Sequence, residues 1–301
     1  MFEGFTRTEI ETSAGDFGGA RIHLRHGGDG PPLLLLHGNP LTHMSWGKIA
    51  GRLAQHFHVV CPDLRGYGDS VGPDEAGPNN INYSFRAMAR DQVEIMERLG
   101  YPKFFAAGHD RGARTVARMC LDHPDRVTRA ALVDILPNHH IWTHTSREWA
   151  LRSWHWALMA QPYDLPERLL AGVDPQWFME RKLSKPGLGL GFFAPEAFAE
   201  YVRCFNWKTI KGSCADYRAC ATCDFEMDKA DFEAGNKITV PLLVIWGGKS
   251  HTEGVHGDVL AVWQRNYATN AWGGALPCGH YVPEEAPDET YDRFMRHFVQ
   301  A

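Results

Sequence analysis

Asp110 and its neighbours have the residue types needed for nucleophilic attack on carbon. Residues 108–114 read GHDRGAR, the apolar residues 104–107 before them indicate a buried strand, and residues 115–122 after them have the spacing of an amphipathic helix. A sharp glycine-flanked turn between strand and helix raises its central side chain above the end of the sheet. Backbone N–H groups at a helix start stabilise nearby negative charge. A carboxylate in this position can attack carbon to form an ester, which water must then hydrolyse.

Two further segments could complete a site around Asp110. Residues 31–40 read PPLLLLHGNP, an apolar strand followed by a polar loop. We expect this loop to contribute the backbone N–H of Asn39 to an oxyanion hole, together with the N–H of Arg111. Late in the chain, the segment CGHY supplies His280 just before a terminal helix. A histidine in that position could activate water as a general base.

These segments resemble the α/β-hydrolase superfamily over nearly the whole sequence, and the chain order nucleophile, acid, histidine agrees with it. The resemblance implies an α/β fold: a mostly parallel central sheet with helices on both faces and an inserted helical cap. Strand and helix patterns alternate over residues 20–136, whereas residues 138–225 show no strong strand pattern. We therefore predict a helical cap over the carboxyl ends of the strands. The predicted division is a hydrolase core of residues 1–137 and 226–301 and a cap of residues 138–225.

The acid that orients His280 has two candidates. Asp134 lies in the hydrophobic segment ALVDIL, and a buried carboxylate there needs a partner such as an imidazole N–H. Its role would be to hold the histidine tautomer and to stabilise the imidazolium that forms. Glu253 is the carboxylate nearest to the other common position, after the late strand that ends in WGG. We favour Asp134, and the alternative is that Asp134 only caps the segment that follows it.

Two arginines follow the candidate nucleophile and narrow the chemistry. Haloalkane dehalogenases and many epoxide hydrolases of the superfamily commonly carry tryptophan after the nucleophile, whereas this chain has Arg111, with Arg114 one helical turn further on. Paired guanidinium groups suit a substrate that has its own carboxylate. They would also keep Asp110 ionised by lowering its pKa. The alternative is that these arginines form surface salt bridges with carboxylates of the cap.

The combination of motifs is most similar to the fluoroacetate dehalogenases, also called haloacetate dehalogenases. The matching residues are Asp110, Arg111, Arg114, Asp134, His155, Trp156, Tyr217 and His280. The resemblance implies a homodimer in which Arg111 and Arg114 bind the substrate carboxylate, while His155, Trp156 and Tyr217 surround the departing halide. Three N–H or O–H donors in a dry site can solvate a halide as its charge forms. The alternative is that these rings only pack the cap.

The implied reaction has two steps and requires no metal or organic cofactor. Asp110 attacks the α-carbon of a small 2-halo acid, which expels halide and leaves an ester. His280, oriented by Asp134, then removes a proton from the water that attacks the ester carbonyl, so that a haloacetate yields glycolate. Asn39 departs from the family, which typically has an aromatic residue after His-Gly. We expect its polar side chain to lie near the halide and to influence halide preference.

Two other classes of function remain open. An epoxide hydrolase shares the aspartate nucleophile but activates its epoxide with cap tyrosines. Tyr217 fits that role, and a second tyrosine such as Tyr163 or Tyr201 would have to face Asp110. The third hypothesis is a non-catalytic ligand-binding member of the superfamily, and the complete set of nucleophile, acid and histidine argues against it.

Composition and charge indicate the surroundings and partners of the protein. The formal net charge of -5 over 301 residues argues against a nucleic-acid partner. Seven cysteines without regular spacing are typical of reduced thiols in the cytoplasm. The N-terminal residues lack the basic and apolar segments of a signal peptide, and no apolar run is long enough to span a membrane. We expect a cytoplasmic enzyme that acts on a small anionic substrate.

Overall fold

The central feature of the molecule is an eight-stranded sheet. The computed structural model describes residues 1–184 and 189–299. The strands are β1 Thr6–Glu11, β2 Arg21–Gly27, β3 Pro32–Leu36, β4 His58–Pro62, β5 Phe104–His109, β6 Val127–Val133, β7 Leu242–Gly247 and β8 Ala271–Leu276. They lie in the order β1-β2-β4-β3-β5-β6-β7-β8. β2 pairs antiparallel with both β1 and β4, and all other neighbouring strands are parallel.

The parallel strands at the centre of the sheet are buried on both faces, which explains their nearly continuous apolar sequences. Every residue of β7 is buried, and so are the four leucines of β3. The carboxyl ends of parallel strands meet at one edge of a sheet, where open α/β sheets bind ligands. The loops after β3, β5, β6 and β8 leave the sheet at this edge. They carry Asn39, Asp110, Asp134 and His280 respectively.

Helices cover both faces of the sheet. Met88, Val116 and Trp263 belong to one buried cluster, whereas Ile49 and Phe294 belong to a second cluster that shares the sheet with it. The α-helices of the described residues are α1 Gly47–Leu53, α2 Phe85–Arg98, α3 Arg111–Asp122, α4 Asn138–Thr143, α5 Arg147–Arg152, α6 Trp154–Met159, α7 Leu165–Ala171, α8 Pro175–Leu183, α9 Pro195–Cys204, α10 Trp207–Ala221, α11 Cys223–Ala234, α12 His251–His256, α13 Val259–Asn266, α14 Val282–Glu285 and α15 Pro287–Phe298. The five core residues just named lie on α2, α3, α13, α1 and α15 respectively.

The chain between β6 and β7 forms helices α4 to α11 in the part that the structure describes. α11 continues past residue 225, where the sequence predicted the end of the cap, so this helix crosses the predicted boundary. The division into core and cap stays a prediction. Within residues 1–184 and 189–299, no helix combines the length and the hydrophobicity needed to cross a bilayer.

Several element boundaries follow from local chemistry. Ser84 caps α2 by accepting the N–H of Ala87. α3 begins at Arg111 and not at residue 115, where the sequence predicted its start. The turn between β5 and α3 consists of Asp110 alone. β7 begins only at Leu242, since the preceding proline has no N–H to donate to a neighbouring strand.

A buried ion pair joins the loop after β4 to α2. The guanidinium of Arg65 donates to both carboxylate oxygens of Asp91, with distances of 2.7 Å from Nε and 2.6 Å from Nη2. Arg65 Nη1 also donates to the carbonyl oxygens of Phe17 and Asn82, each at 2.7 Å. Both charged side chains are inaccessible to solvent. Removing either partner would leave the other charge buried without compensation.

We predict that Asp91→Ala lowers the free energy of unfolding by about 3–5 kcal/mol, because Arg65 would stay buried without its counter-charge. Asp288→Ala is the control, since Asp288 pairs with Arg52 at the surface and is 81% exposed. Urea unfolding followed by circular dichroism measures both variants. Small and equal effects of the two substitutions would contradict the prediction.

Candidate active site

Asp110 occupies a strained junction between β5 and α3. Its backbone angles, φ 50° and ψ −115°, lie outside the regions that non-glycine residues favour. Gly38 passes so close that a Cβ there would lie 2.5 Å from the Cβ of Asp110, which makes glycine necessary at that position. The backbone N–H of Asn39 donates to Oδ1 of Asp110 at 2.9 Å. Backbone strain of this kind is concentrated at functional sites.

His280 and Asp134 form a close pair beside Asp110. Nδ1 of His280 lies 2.5 Å from Oδ2 of Asp134. Nε2 of the same ring lies 4.0 Å from Oδ2 of Asp110. The second distance is too long for a direct hydrogen bond but can be spanned through one water molecule. The arrangement can therefore orient an imidazole with one nitrogen towards a carboxylate and the other towards a reacting group.

Donors from the end of β7 and from the loop after it hold the carboxylate of Asp134. The N–H of Gly247 donates to its Oδ1 at 3.0 Å, and the hydroxyl of Ser250 donates to the same oxygen at 2.9 Å. Glu253, the other candidate acid, instead accepts the indole N–H of Trp246 at 2.9 Å. The structure thus brings Asp134, and not Glu253, into contact with His280.

Both buried carboxylates favour the ionised form. Burial alone raises the pKa of Asp110, but its interactions with His280, His109 and Arg111 outweigh burial and hold the pKa below its ordinary value. Burial acts on Asp134 in the same direction. The hydrogen bond from His280 opposes it, so the pKa of Asp134 is also lowered.

His109 is a polar residue of the site that the sequence analysis did not single out. Its Nε2 lies 2.8 Å from the carbonyl oxygen of His280, and the two rings are 4.8 Å apart. Burial, reinforced by the charge of His280, lowers the pKa of His109 from 6.5 to about 4. The neutral ring can therefore donate to this carbonyl and support the backbone of His280. A histidine at the end of an otherwise apolar strand is the feature of the sequence that could have identified it.

Arg111 and Arg114 lie in different surroundings, although the sequence predicted them as a pair. Arg114 lines the cavity, and its Nη1 donates to the carbonyl oxygen of Leu136 at 3.0 Å. Burial lowers the pKa of Arg114. Arg111 is completely buried and forms a two-point ion pair with Asp216 of α10, which overrides the effect of burial and raises the pKa of Arg111. The salt bridge considered as an alternative is thus present for Arg111, but inside the protein.

His155, Trp156 and Tyr217 lie side by side. The ring centroid of Tyr217 is 5.8 Å from that of His155 and 5.8 Å from that of Trp156. Burial, together with Lys182, holds the pKa of His155 well below 6.5. Burial and the charge of Asp110 raise the pKa of Tyr217. Imidazole, indole and phenol are therefore all neutral, and each can offer one hydrogen-bond donor.

The candidate residues surround a cavity of about 460 Å³. Of the predicted residues, its described lining includes Asn39, Asp110, Arg114, Asp134, His155, Trp156 and His280, but neither Arg111 nor Tyr217. The Oδ1 atom of Asn39 is buried and has no hydrogen-bond partner among the described residues. Helices α5, α8 and α12 add lining residues that the sequence analysis did not identify, because it could not establish which helix faces point inward: Trp149, Trp177, Arg181, Lys182 and His256.

The tyrosines named for an epoxide-opening role lie elsewhere. Tyr163 is 63% exposed. Tyr201 is buried and donates to Oε1 of Glu284 at 2.5 Å. Neither belongs to the described lining of the cavity, whereas Tyr281, on the loop after β8, does.

A second buried polar cluster lies at the start of the loop after β4. His23, His43 and Asp63 each place one potential metal-ligating atom within 4.8 Å of the other two. Within the described ranges this is the one group of three or more such residues that is close enough to hold a metal ion. Oδ1 of Asp63 accepts the backbone N–H of His43 at 2.8 Å, and Oδ2 accepts the N–H of Asp69 at 2.9 Å. Hydrogen bonds already engage both carboxylate oxygens, so the cluster is explained as a network that holds this loop.

Comparison with known proteins places these observations in a family. Residues 31–168 match the family model of the alpha/beta hydrolase fold. The chain is 42% identical to fluoroacetate dehalogenase from Burkholderia sp, over 99% of this chain and 95% of that protein. It is 32% identical to soluble epoxide hydrolase from Corynebacterium sp. (strain C12), over 97% of this chain and 98% of that protein. A solved structure from Nostoc sp PCC 7120, described as an alpha/beta hydrolase, shares 46% identity and a TM-score of 0.93 over the full length of both chains.

The fold and these similarities define an α/β hydrolase, so the predicted fold class is confirmed. The chain belongs to the fluoroacetate dehalogenase family of this superfamily, and it is a hydrolase. Its similarities extend to a dehalogenase and to an epoxide hydrolase alike. The bond that it cleaves must therefore be argued from the site itself.

We predict that the free energy of unfolding falls as the pH drops from about 6.5 to about 4, and that His109→Gln reduces this fall. The pKa of His109 is about 4 in the folded protein, below the 6.5 of an unperturbed histidine. The unfolded chain therefore binds the proton first, and protonation favours unfolding within this window. The full shift corresponds to about 3 kcal/mol.

Urea unfolding across this pH range measures the effect, with the exposed His56 changed to Gln as a control. A pH dependence that is the same for the wild type and His109→Gln would contradict the prediction.

Proposed function

We propose that the protein hydrolyses the carbon–halogen bond of small 2-halo carboxylic acids and converts a haloacetate into glycolate and halide. The observation that carries this proposal is that the cation of Arg114 lines the same cavity as the ionised carboxylate of Asp110. A neutral substrate makes no use of the buried guanidinium of Arg114, and an unpaired buried charge is unfavourable. A substrate carboxylate compensates that charge and can accept two hydrogen bonds.

In the first step, Oδ2 of Asp110 attacks the α-carbon from the side opposite the halogen. The new carbon–oxygen bond forms as the carbon–halogen bond breaks, and the electron pair leaves with the halide. Arg114 and Arg111 bind the carboxylate of the substrate. The neutral donors of His155, Trp156 and Tyr217 solvate the halide as its charge develops, and their mutual proximity supports this role.

In the second step, water hydrolyses the ester on Asp110. His280, oriented by Asp134, takes a proton from the water that attacks the ester carbonyl. The N–H groups of Asn39 and Arg111 stabilise the oxyanion; the contact of 2.9 Å between the Asn39 N–H and Asp110 supports the first of these. Collapse of the intermediate expels glycolate, whose oxygen takes the proton from His280. The carboxyl group of Asp110 then loses its remaining proton to solvent.

Epoxide hydrolysis is the second candidate function, and the similarity to the epoxide hydrolase from Corynebacterium sp. favours it. That chemistry also begins with an aspartate nucleophile, but it needs phenol donors placed on the epoxide oxygen. The exposure of Tyr163 and the hydrogen bond between Tyr201 and Glu284 argue against these two tyrosines as the second donor. The buried cation of Arg114 has no role in opening a neutral epoxide.

We predict that the purified protein releases halide from chloroacetate and fluoroacetate and that Asp110→Asn lowers this release by at least about 1,000-fold, because an amide is a poor nucleophile. Ion chromatography measures the halide. Asp125→Asn is the control, since this aspartate is 75% exposed.

Each outcome of this experiment has a distinct meaning. Chloride release without fluoride release keeps the proposed mechanism and makes the halide site, including Asn39, the cause of the preference. Absence of halide release from both acids, with a diol formed from an epoxide panel, would refute the proposal in favour of the second candidate.

We also predict that His280→Gln stops the reaction at the ester. This variant keeps the nucleophile but lacks the base, so it should release about one halide per protein chain and then stop. Mass spectrometry of the intact protein should show the addition of one carboxymethyl group, which peptide mapping locates on Asp110. The two-step mechanism fails if His280→Gln turns over steadily, or if halide appears without any change in protein mass.

A further inference from the structure

The two arginines at the start of α3 differ in how their guanidinium groups are used. Arg114 lines the cavity, and within residues 1–184 and 189–299 no carboxylate forms an ion pair with it. The guanidinium of Arg111 is held from one side by Asp216: Nε donates to Oδ2 at 2.8 Å, and Nη2 donates to Oδ1. Because Asp216 holds Nε and Nη2, it determines the direction in which the remaining nitrogen of Arg111, Nη1, points.

The Nη1 atom of Arg111 is the part of the guanidinium that Asp216 leaves unused. It is buried and has no hydrogen-bond partner among the described residues. An unpaired donor on a buried cation is costly, and such a group is usually satisfied by a partner that the protein alone does not supply. Arg111 directly follows Asp110, and its Cζ lies 5.7 Å from the ring centroid of Trp156, which lines the cavity. A substrate carboxylate bound at this end of the cavity is therefore the partner that fits this donor.

Aromatic rings restrict the guanidinium of Arg111 further. Its Cζ lies 4.1 Å from the ring centroid of Tyr217 and 4.6 Å from that of Phe85. Contacts with ring faces fix the plane of a guanidinium, whereas a carboxylate in that plane fixes its rotation. Asp216 supplies the second restraint, so the orientation of Nη1 depends on it.

Asp216 is itself fixed by the core. The hydroxyl of Tyr67 donates to Oδ2 of Asp216 at 2.6 Å. Both oxygens of the carboxylate are therefore engaged, and the side chain is completely buried. The three groups form a connected series, Tyr67 to Asp216 to Arg111, that runs from the loop after β4 through α10 to α3.

We propose that Asp216 is a positioning residue for substrate recognition. It orients Arg111 so that Nη1 faces the substrate carboxylate, and it neutralises one of the two arginine charges. This proposal rests on the proposed function, because it assumes that a carboxylate is the group bound at this end of the cavity.

The competing explanation is that Asp216 only attaches α10 to the core. The backbone contact between Gly66 and Gly212 already serves that purpose, because a Cβ built on Gly212 would lie 2.7 Å from the Cα of Gly66. Lys208 of α10 also donates to the carbonyl oxygen of Gly68 at 2.9 Å, and a second buried ion pair, between Arg218 and Glu167, joins α10 to α7. Loss of the charge on Asp216 should therefore leave the helix in place.

The experiment compares Asp216→Asn with Glu167→Gln, which removes the charge from the matched ion pair on the same helix. Initial rates of chloride release from chloroacetate give KM and kcat. For Asp216→Asn we expect KM to rise about tenfold with kcat changed less than about threefold, the pattern of a lost binding interaction. For Glu167→Gln we expect KM to stay within about twofold of the wild type.

A double-mutant cycle tests whether Asp216 acts through Arg111. If it does, Asp216→Asn should raise KM far less in an Arg111→Lys background than in the wild type. An unchanged KM in Asp216→Asn, an equal rise in Glu167→Gln, or full additivity in the cycle would each overturn the proposal.

Calorimetric titration with glycolate separates this proposal from the proposed function. If the wild type binds glycolate but releases no halide, the proposed function fails. Weaker binding of glycolate by Asp216→Asn than by Glu167→Gln would then still support the positioning role, and equal binding would refute it.

Discussion

The structure depends on keeping a negative charge on Asp110 inside the protein. Burial disfavours that charge, and the surrounding groups reverse the effect: His280, His109, Arg111 and the N–H of Asn39 hold the pKa of Asp110 below its ordinary value. The strained backbone of Asp110 is what brings these groups within reach. Replacing any of them changes the energy of the same carboxylate, so the site behaves as one electrostatic unit.

The same constraint extends outward through paired charges. The carboxylate of Asp134 contacts Nδ1 of His280, on the side of the ring away from Asp110, and the carboxylate of Asp216 accepts hydrogen bonds from the guanidinium of Arg111. Because Asp216 belongs to α10, a helix between β6 and β7 supplies the counter-charge for a residue of the sheet edge. The arrangement around Asp110 is therefore complete only when α10 is packed on the core. One buried ion pair thus links the electrostatics of the site to a helix that the contact between Gly66 and Gly212 holds on the core.

Local sequence was sufficient where the determining interactions are local. The strand, turn and helix around Asp110 and the cap of α2 at Ser84 follow from spacing and from side chains that bond their own neighbours. The environment of Arg111 could not be predicted in this way, because its partner lies 105 residues further along the chain. α11 crosses the predicted core–cap boundary at residue 225 and ends only at Ala234, before Gly235, whose positive φ of 73° terminates the helix.

The hydrogen-bond donors around the proposed halide position are uncharged, although cations lie close to them. Under the proposed function, the fixed cations serve the carboxylate, whereas the donors around the halide are neutral because burial lowers the pKa of His155 and raises that of Tyr217. Neutral donors stabilise the charge that develops on the halogen in the transition state. Cations nevertheless lie against two of these rings: Cζ of Arg111 is 4.1 Å from the ring centroid of Tyr217, and Cζ of Arg114 is 4.7 Å from that of Trp156. Burial thus keeps the donors themselves neutral, while the neighbouring guanidinium groups add positive charge at this end of the cavity.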